Sequence, residues 1–124
     1  MIGATFDSGA LVALERRDIS MVIKLRVLHQ AGVPITIPAN AVVEWWRKGR
    51  GQPTILGLGT VEPLNEVVAK AAGEALAKVR GSTAIDATVM ASAAQRGDRV
   101  FTSDPTDMQR LQRHFRAVLD VIPV

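Results

Sequence analysis

Apolar and polar positions along the chain fall into short strand-like runs separated by longer helical stripes. Residues 2–6 form an apolar run closed by Asp7-Ser8-Gly9, which predicts a buried strand meeting a turn, and residues 11–14 predict the start of a helix. A second helix is predicted from Asp18 as N-cap, through Met21, Leu25 and Leu28, to Gly32. Residues 34–37 read as a strand and residues 39–47 as a helix. Residues 48–53 read as a basic, glycine-broken loop, and Gly57-Leu58-Gly59 as a second break. Residues 61–64 predict a strand, after which Asn65 caps a helix striped by Val68, Ala72, Leu76 and Val79 and ended by Gly81-Ser82. Thr83-Ala84-Ile85-Asp86 has capping-box spacing and opens a helix to Arg96-Gly97. Residues 99–102 predict a strand, Ser103-Asp104-Pro105 the start of a helix reaching His114, and residues 117–122 a final strand.

This alternation predicts α/β architecture: a parallel sheet covered by helices, joined by right-handed crossovers, in one domain over residues 1–124. Such sheets bind ligands beyond the carboxyl ends of their strands. Asp7 and Asp104 fall at two such ends, and Asp86 heads a helix after a short loop.

Composition narrows the chemistry. The 124 residues include no cysteine, which excludes disulfides, cysteine-ligated metals and a thiol nucleophile. No apolar run approaches the roughly 18 residues of a membrane span, and no basic leader precedes the first strand, so the expected location is cytoplasmic. Fifteen Lys and Arg against twelve Asp and Glu give +3 and a pI near 10.0. Eleven of the fifteen are arginine, whose planar fork suits phosphate.

Each acid has a bland reading. Asp104 before Pro105 is a good N-cap, Asp107 suits the helix dipole, Asp86 completes the box with Thr83, and Asp7 begins a turn. Glu44 lies in a mostly apolar stretch and needs a partner, the nearest cation being Arg47. Taken together, three or four carboxylates converging on one edge repel one another unless protonated or metal-bound. Hard oxygen ligands without His or Cys favour Mg²⁺ or Mn²⁺, ions that activate water and clamp a phosphodiester during in-line displacement. With four acids set aside, fifteen cations face eight, a net of +7 available to hold a polyanion.

Four segments then resemble the acidic motifs of PIN-domain ribonucleases: residues 6–14 around Asp7, Val42-Val43-Glu44, residues 83–91 around Asp86, and Phe101-Thr102-Ser103-Asp104. Their order and spacing are similar to those of the small VapC-type toxins of toxin–antitoxin pairs. The resemblance covers residues 2–121. It implies a three-layer α/β/α sandwich with a central parallel sheet, and metal-dependent endonucleolytic cleavage of RNA. It places Asp7, Asp86 and Asp104 as direct or water-mediated ligands, with Glu44 holding a metal-bound water or second ion. Thr102 and Ser103 would add hydroxyls, and Asp107 would be peripheral. It also implies homodimers neutralised by a co-expressed antitoxin protein.

Other features stand outside those motifs. Adjacent Trp45 and Trp46 differ by about 100° on a helix, so one is expected in the core and the other at a partner interface or against a base. Arg47, Lys48 and Arg50 are candidate phosphate contacts. A phosphoaspartyl receiver would need a lysine past the late strand, and a haloacid-type phosphatase an acid at position 9, where Gly9 stands. A metal-free ribonuclease would rely on His29 and His114, both expected to be structural or exposed. The remaining alternative is a non-catalytic RNA-binding or antitoxin-sequestering module on the same fold.

Overall fold

The computed structural model describes residues 1–47 and 52–124. Among these, five strands alternate with seven helices: β1 Ala4–Phe6, α1 Ser8–Glu15, α2 Ile19–Gln30, β2 Ile35–Pro38, α3 Ala39–Arg47, α4 Pro53–Leu56, β3 Thr60–Glu62, α5 Glu66–Lys78, α6 Ala84–Arg96, β4 Arg99–Thr102, α7 Pro105–Gln112 and β5 Asp120–Pro123. All pairings are parallel, in the order β3-β2-β1-β4-β5.

Successive strand residues point to opposite faces, so the sheet supports two cores. One holds Phe6, Leu11, Met21, Ile37, Trp45 and Phe101 under the first four helices. There the Phe6 and Phe101 rings meet edge to face at 5.3 Å. The other holds Val68, Met90, Val100, Met108, Leu111 and Val121 under the last three. The chain is therefore a three-layer α/β/α sandwich with a central parallel sheet. Among the described residues no helix is long and apolar enough to cross a membrane.

The pattern-based boundaries hold for residues 39–47, 84–96 and 99–102 and shift elsewhere, at three places for identifiable reasons. Helix α1 begins at Ser8, not Leu11, because the Asp7 carboxylate accepts from the Ala10 amide at 2.9 Å and caps it. Helix α4 was not anticipated. It is a single turn started by Pro53, hidden between a glycine-broken segment and the Gly57 to Gly59 break. The final strand pairs only from Asp120, opposite Arg99, since residues before it turn back through the Val118 amide to Phe115 and the Leu119 amide to Asp98. Residues 48–51, within the segment read as a basic loop, lie outside the described residues.

Trp45 is fully buried while Trp46 is 48% exposed, as their angular separation on α3 requires. His29 is exposed beside the Leu58 carbonyl, and His114 stacks edge-on against Phe115 at 4.8 Å.

Candidate functional site

The strand order places the site. From β1 the chain builds outward through β2 and β3, then returns to lay β4 on the other side of β1 and β5 beyond it. The connections leaving β1 and β4 therefore diverge, and a crevice opens at their carboxyl ends. Asp7 is the residue after β1; Ser103 and Asp104 follow β4. The Asp7 amide donates to the Phe101 carbonyl at 3.2 Å, which ties the two strand ends together.

Local chemistry orients each side chain. Asp7, 5% exposed, is fixed by its cap to Ala10. Thr102 is fully buried, and its hydroxyl oxygen accepts from the Asp104 amide at 2.9 Å. Asp104 occupies the N-cap position of α7 but its side chain makes no capping bond, so the cap expected there is absent and the exposed carboxylate stays free. Thr83 caps α6 by accepting from the Asp86 amide at 3.1 Å, which sets Asp86 in the first turn, half-buried. Glu44 receives a short hydrogen bond from the Ser8 hydroxyl. The partner foreseen for it, Arg47, forms no ion pair with it among the described residues. Ser8 lies 36 positions away, out of reach of any reading of local spacing.

The five acids form one electrostatic neighbourhood. Burial pushes the Asp7 carboxyl from the ordinary 3.8 to about 6. The Thr102 hydroxyl and Ala10 amide offset part of that, and the Asp86 and Asp104 carboxylates add to it. Asp86 is also raised, first by burial and then, against the lowering effect of Thr83, by Glu44, Asp104 and Asp107. Asp107 alone has a cation: Arg110 Nη2 donates to it at 2.5 Å. Asp7, Glu44, Asp86 and Asp104 have no cationic partner among the described residues.

Beside them a cavity of about 360 Å³ opens between α1, α3 and the β4–α7 turn, lined by Ser8, Arg16, Asp18, Glu44, Ser103 and Asp104 among others. Gly9 makes this closeness possible. A Cβ there would fall within 2.8 Å of the Ser103 backbone nitrogen and closer to its side chain. Of the expected phosphate contacts, Arg47 is exposed at the end of α3, and Lys48 and Arg50 lie outside the described residues.

The donor set is all oxygen: carboxylates with the neighbouring hydroxyls of Thr102 and Ser103, suited to a hard divalent cation. Carboxyls with raised pKa values and no counter-charge are what such a cation would relieve. As they stand, no three Asp, Glu or His side chains among the described residues close into a ready-made metal-holding group. Asp7, Asp86, Asp104 and Glu44 are the residues that would hold one.

The Asp7 shift has a measurable consequence. The folded chain favours the protonated form, so folding takes up a proton between about pH 4 and 6. The stability from this group is complete below 3.8 and is lost as pH rises through about 6. The loss is on the order of 3 kcal/mol by pH 7. Urea unfolding in EDTA at pH 4, 5.5 and 7 is expected to show the parent losing that amount relative to Asp7→Asn. A pH-independent difference between the two would refute it.

No protein-family model matches this chain, and no curated protein matches it. Among solved structures it is similar to the crystal structure of PAE2754 from Pyrobaculum aerophilum, with a TM-score of 0.58 and 18% identity over 96% of this chain and 89% of that one. That likeness shows the fold.

Proposed function

We propose that this chain is a metal-dependent endoribonuclease with a PIN-like fold, acting as the toxin of a toxin–antitoxin pair. The observation that supports this reading is that Asp7, Glu44, Asp86 and Asp104 share one electrostatic neighbourhood around the β1–β4 switch point with no cationic partner among the described residues. Like charges that raise one another's pKa without a counter-charge cost stability, which fits a set kept for binding a cation. When bound, Mg²⁺ or Mn²⁺ supplies an activated water and neutralises phosphoryl oxygens during in-line displacement.

The chain's own residues do the positioning. Ala10 orients Asp7, Thr83 fixes the backbone of Asp86, and Ser8 holds Glu44 toward the crevice. The net +3 charge, arginine-rich, favours a polyanionic substrate despite the acidic centre. The same reading carries a cytoplasmic homodimer neutralised by an antitoxin protein. Exposed Ile19, Ile23 and Val27, four residues apart along α2, supply apolar surface suited to a protein partner.

The test is cleavage of total RNA by the purified chain with Mg²⁺, with Mn²⁺ and with excess EDTA. Cleavage with either ion that stops in EDTA is expected. Undiminished cleavage in chelator would overturn the metal mechanism. No cleavage under any condition would leave a non-catalytic RNA-binding or antitoxin-sequestering module.

A further inference from the structure

Resting on the ribonuclease reading, we propose that Arg16, at the α1 cavity, and Arg110, on α7, are phosphate contacts beside the carboxylate centre, so that the RNA strand runs between the α1 cavity and the α7 side. A centre of four uncompensated carboxylates repels a phosphodiester chain, so the phosphates on either side of the reacting one need cations close by. Two guanidinium groups stand there, neither of them in the Arg47 to Arg50 cluster.

Arg16 ends α1 and lines the 360 Å³ cavity together with Glu44 and Asp104. That volume is within the ~300–1,000 Å³ range of small-ligand clefts. Arg16 is exposed and forms no ion pair among the described residues. Its neighbour in the lining, Asp18, is engaged in capping α2, accepting from the Ser20 and Met21 amides at 2.9 and 3.4 Å.

Arg110 is held in place rather than free. Its Nη2 donates to Asp107 at 2.5 Å and its Nη1 to the Arg80 carbonyl at 3.2 Å, across 30 positions of sequence. Arg110 stands on α7, the helix whose N-cap position is Asp104, and its partner Asp107 is in the first turn, which places this fork beside the acids. The side chain is still 41% exposed, and although its Nε is buried, the second N–H on each of Nη1 and Nη2 remains for a phosphate.

The experiment is fluorescence anisotropy of a labelled single-stranded RNA oligonucleotide, titrated with salt in EDTA so that nothing is cleaved. Arg16→Gln and Arg110→Gln are each expected to flatten the log–log salt slope by about 0.7, the value for one lost contact to a single strand. Arg116→Gln, an exposed arginine on the approach to β5, is expected to leave it unchanged. Arg110→Lys keeps the charge and should retain the slope. Asp107→Asn frees Arg110 and should leave the slope at least as steep. If Arg110 were only a strut between α7 and the α5–α6 turn, Asp107→Asn would weaken binding as Arg110→Gln does, and that result overturns the proposal. So does a parent-like slope in Arg16→Gln or Arg110→Gln, or a parent that does not bind RNA at low salt. Slope losses as expected from a parent that never cleaves in Mg²⁺ would uphold the path and sink the nuclease reading. Cleavage by a parent whose variants keep its slope would do the reverse.

Discussion

Asp7→Asn, Asp86→Asn and Asp104→Asn are each expected to lower RNA cleavage by about 10²–10⁴-fold, the range lost with a positioned acid–base or electrostatic group, while the chain stays folded. The structure separates this outcome from a loss of helix caps. Asp7 caps α1 through Ala10, and Asn caps about as well as Asp, so the fold should keep that bond. Asp86 is itself capped by Thr83, so its carboxylate is dispensable to the start of α6. Asp104 makes no capping bond at all. Even Asp104→Ala should therefore cost well under the ~1 kcal/mol of a lost cap. Melting in EDTA should be unchanged or raised in the Asn variants, because one of several like charges has gone. Mg²⁺ is expected to raise the melting temperature of the parent and to do so less in each variant. Parent-like cleavage in all three would return these acids to caps and turns.

A second large effect is expected far from the crevice. Asp98, just before β4, is 2% exposed and accepts from the Thr5 hydroxyl at 2.8 Å and from Arg96 Nε at 2.9 Å. Arg96 also reaches Glu62, Ser92 and Thr5, binding the end of α6 to β1 and β3. Asp98→Ala leaves the Thr5 hydroxyl without its acceptor and Arg96 with Glu62 as its remaining counter-charge, which typically costs ~1–3 kcal/mol. Glu62→Ala, at a site 27% exposed, should cost less, about 0–1 kcal/mol for a pair near solvent. Urea unfolding with an unchanged m-value would register both. A cost below 1 kcal/mol for Asp98→Ala would show that the network contributes little. The network anchors one end of the helix whose other end carries Asp86, so weakening it should also loosen the carboxylate set.

Much of this protein could be read from the sequence, because the relevant physics is local. Alternation of apolar runs and helical stripes led to a parallel α/β sheet, since a strand buried on both faces and a helix buried on one leave different periodicities. Asn65 and Thr83 were legible as caps because a capping side chain bonds amides within three residues of itself. The opposed fates of Trp45 and Trp46 followed from helix geometry alone.

What depends on contacts distant in sequence was decided only by the tertiary structure. Asp7 starts α1 through a local bond to Ala10, but the order β3-β2-β1-β4-β5, which brings the end of β1 beside the end of β4, has no trace in any window of the chain. Ser8 as the partner of Glu44 and Thr5 as the partner of Asp98 lie 36 and 93 positions away. Gly9 looked like a turn residue, yet the turn is absent and the missing Cβ lets α1 close against Ser103. Asp104 looked like a cap and is not one: its carboxylate accepts from no α7 amide and stays beside the crevice, while its own amide donates to the Thr102 hydroxyl. Side-chain type and spacing fixed which residues could take part. Packing of the sheet fixed which of them meet, because that meeting is set by strand order and burial rather than by neighbours along the chain.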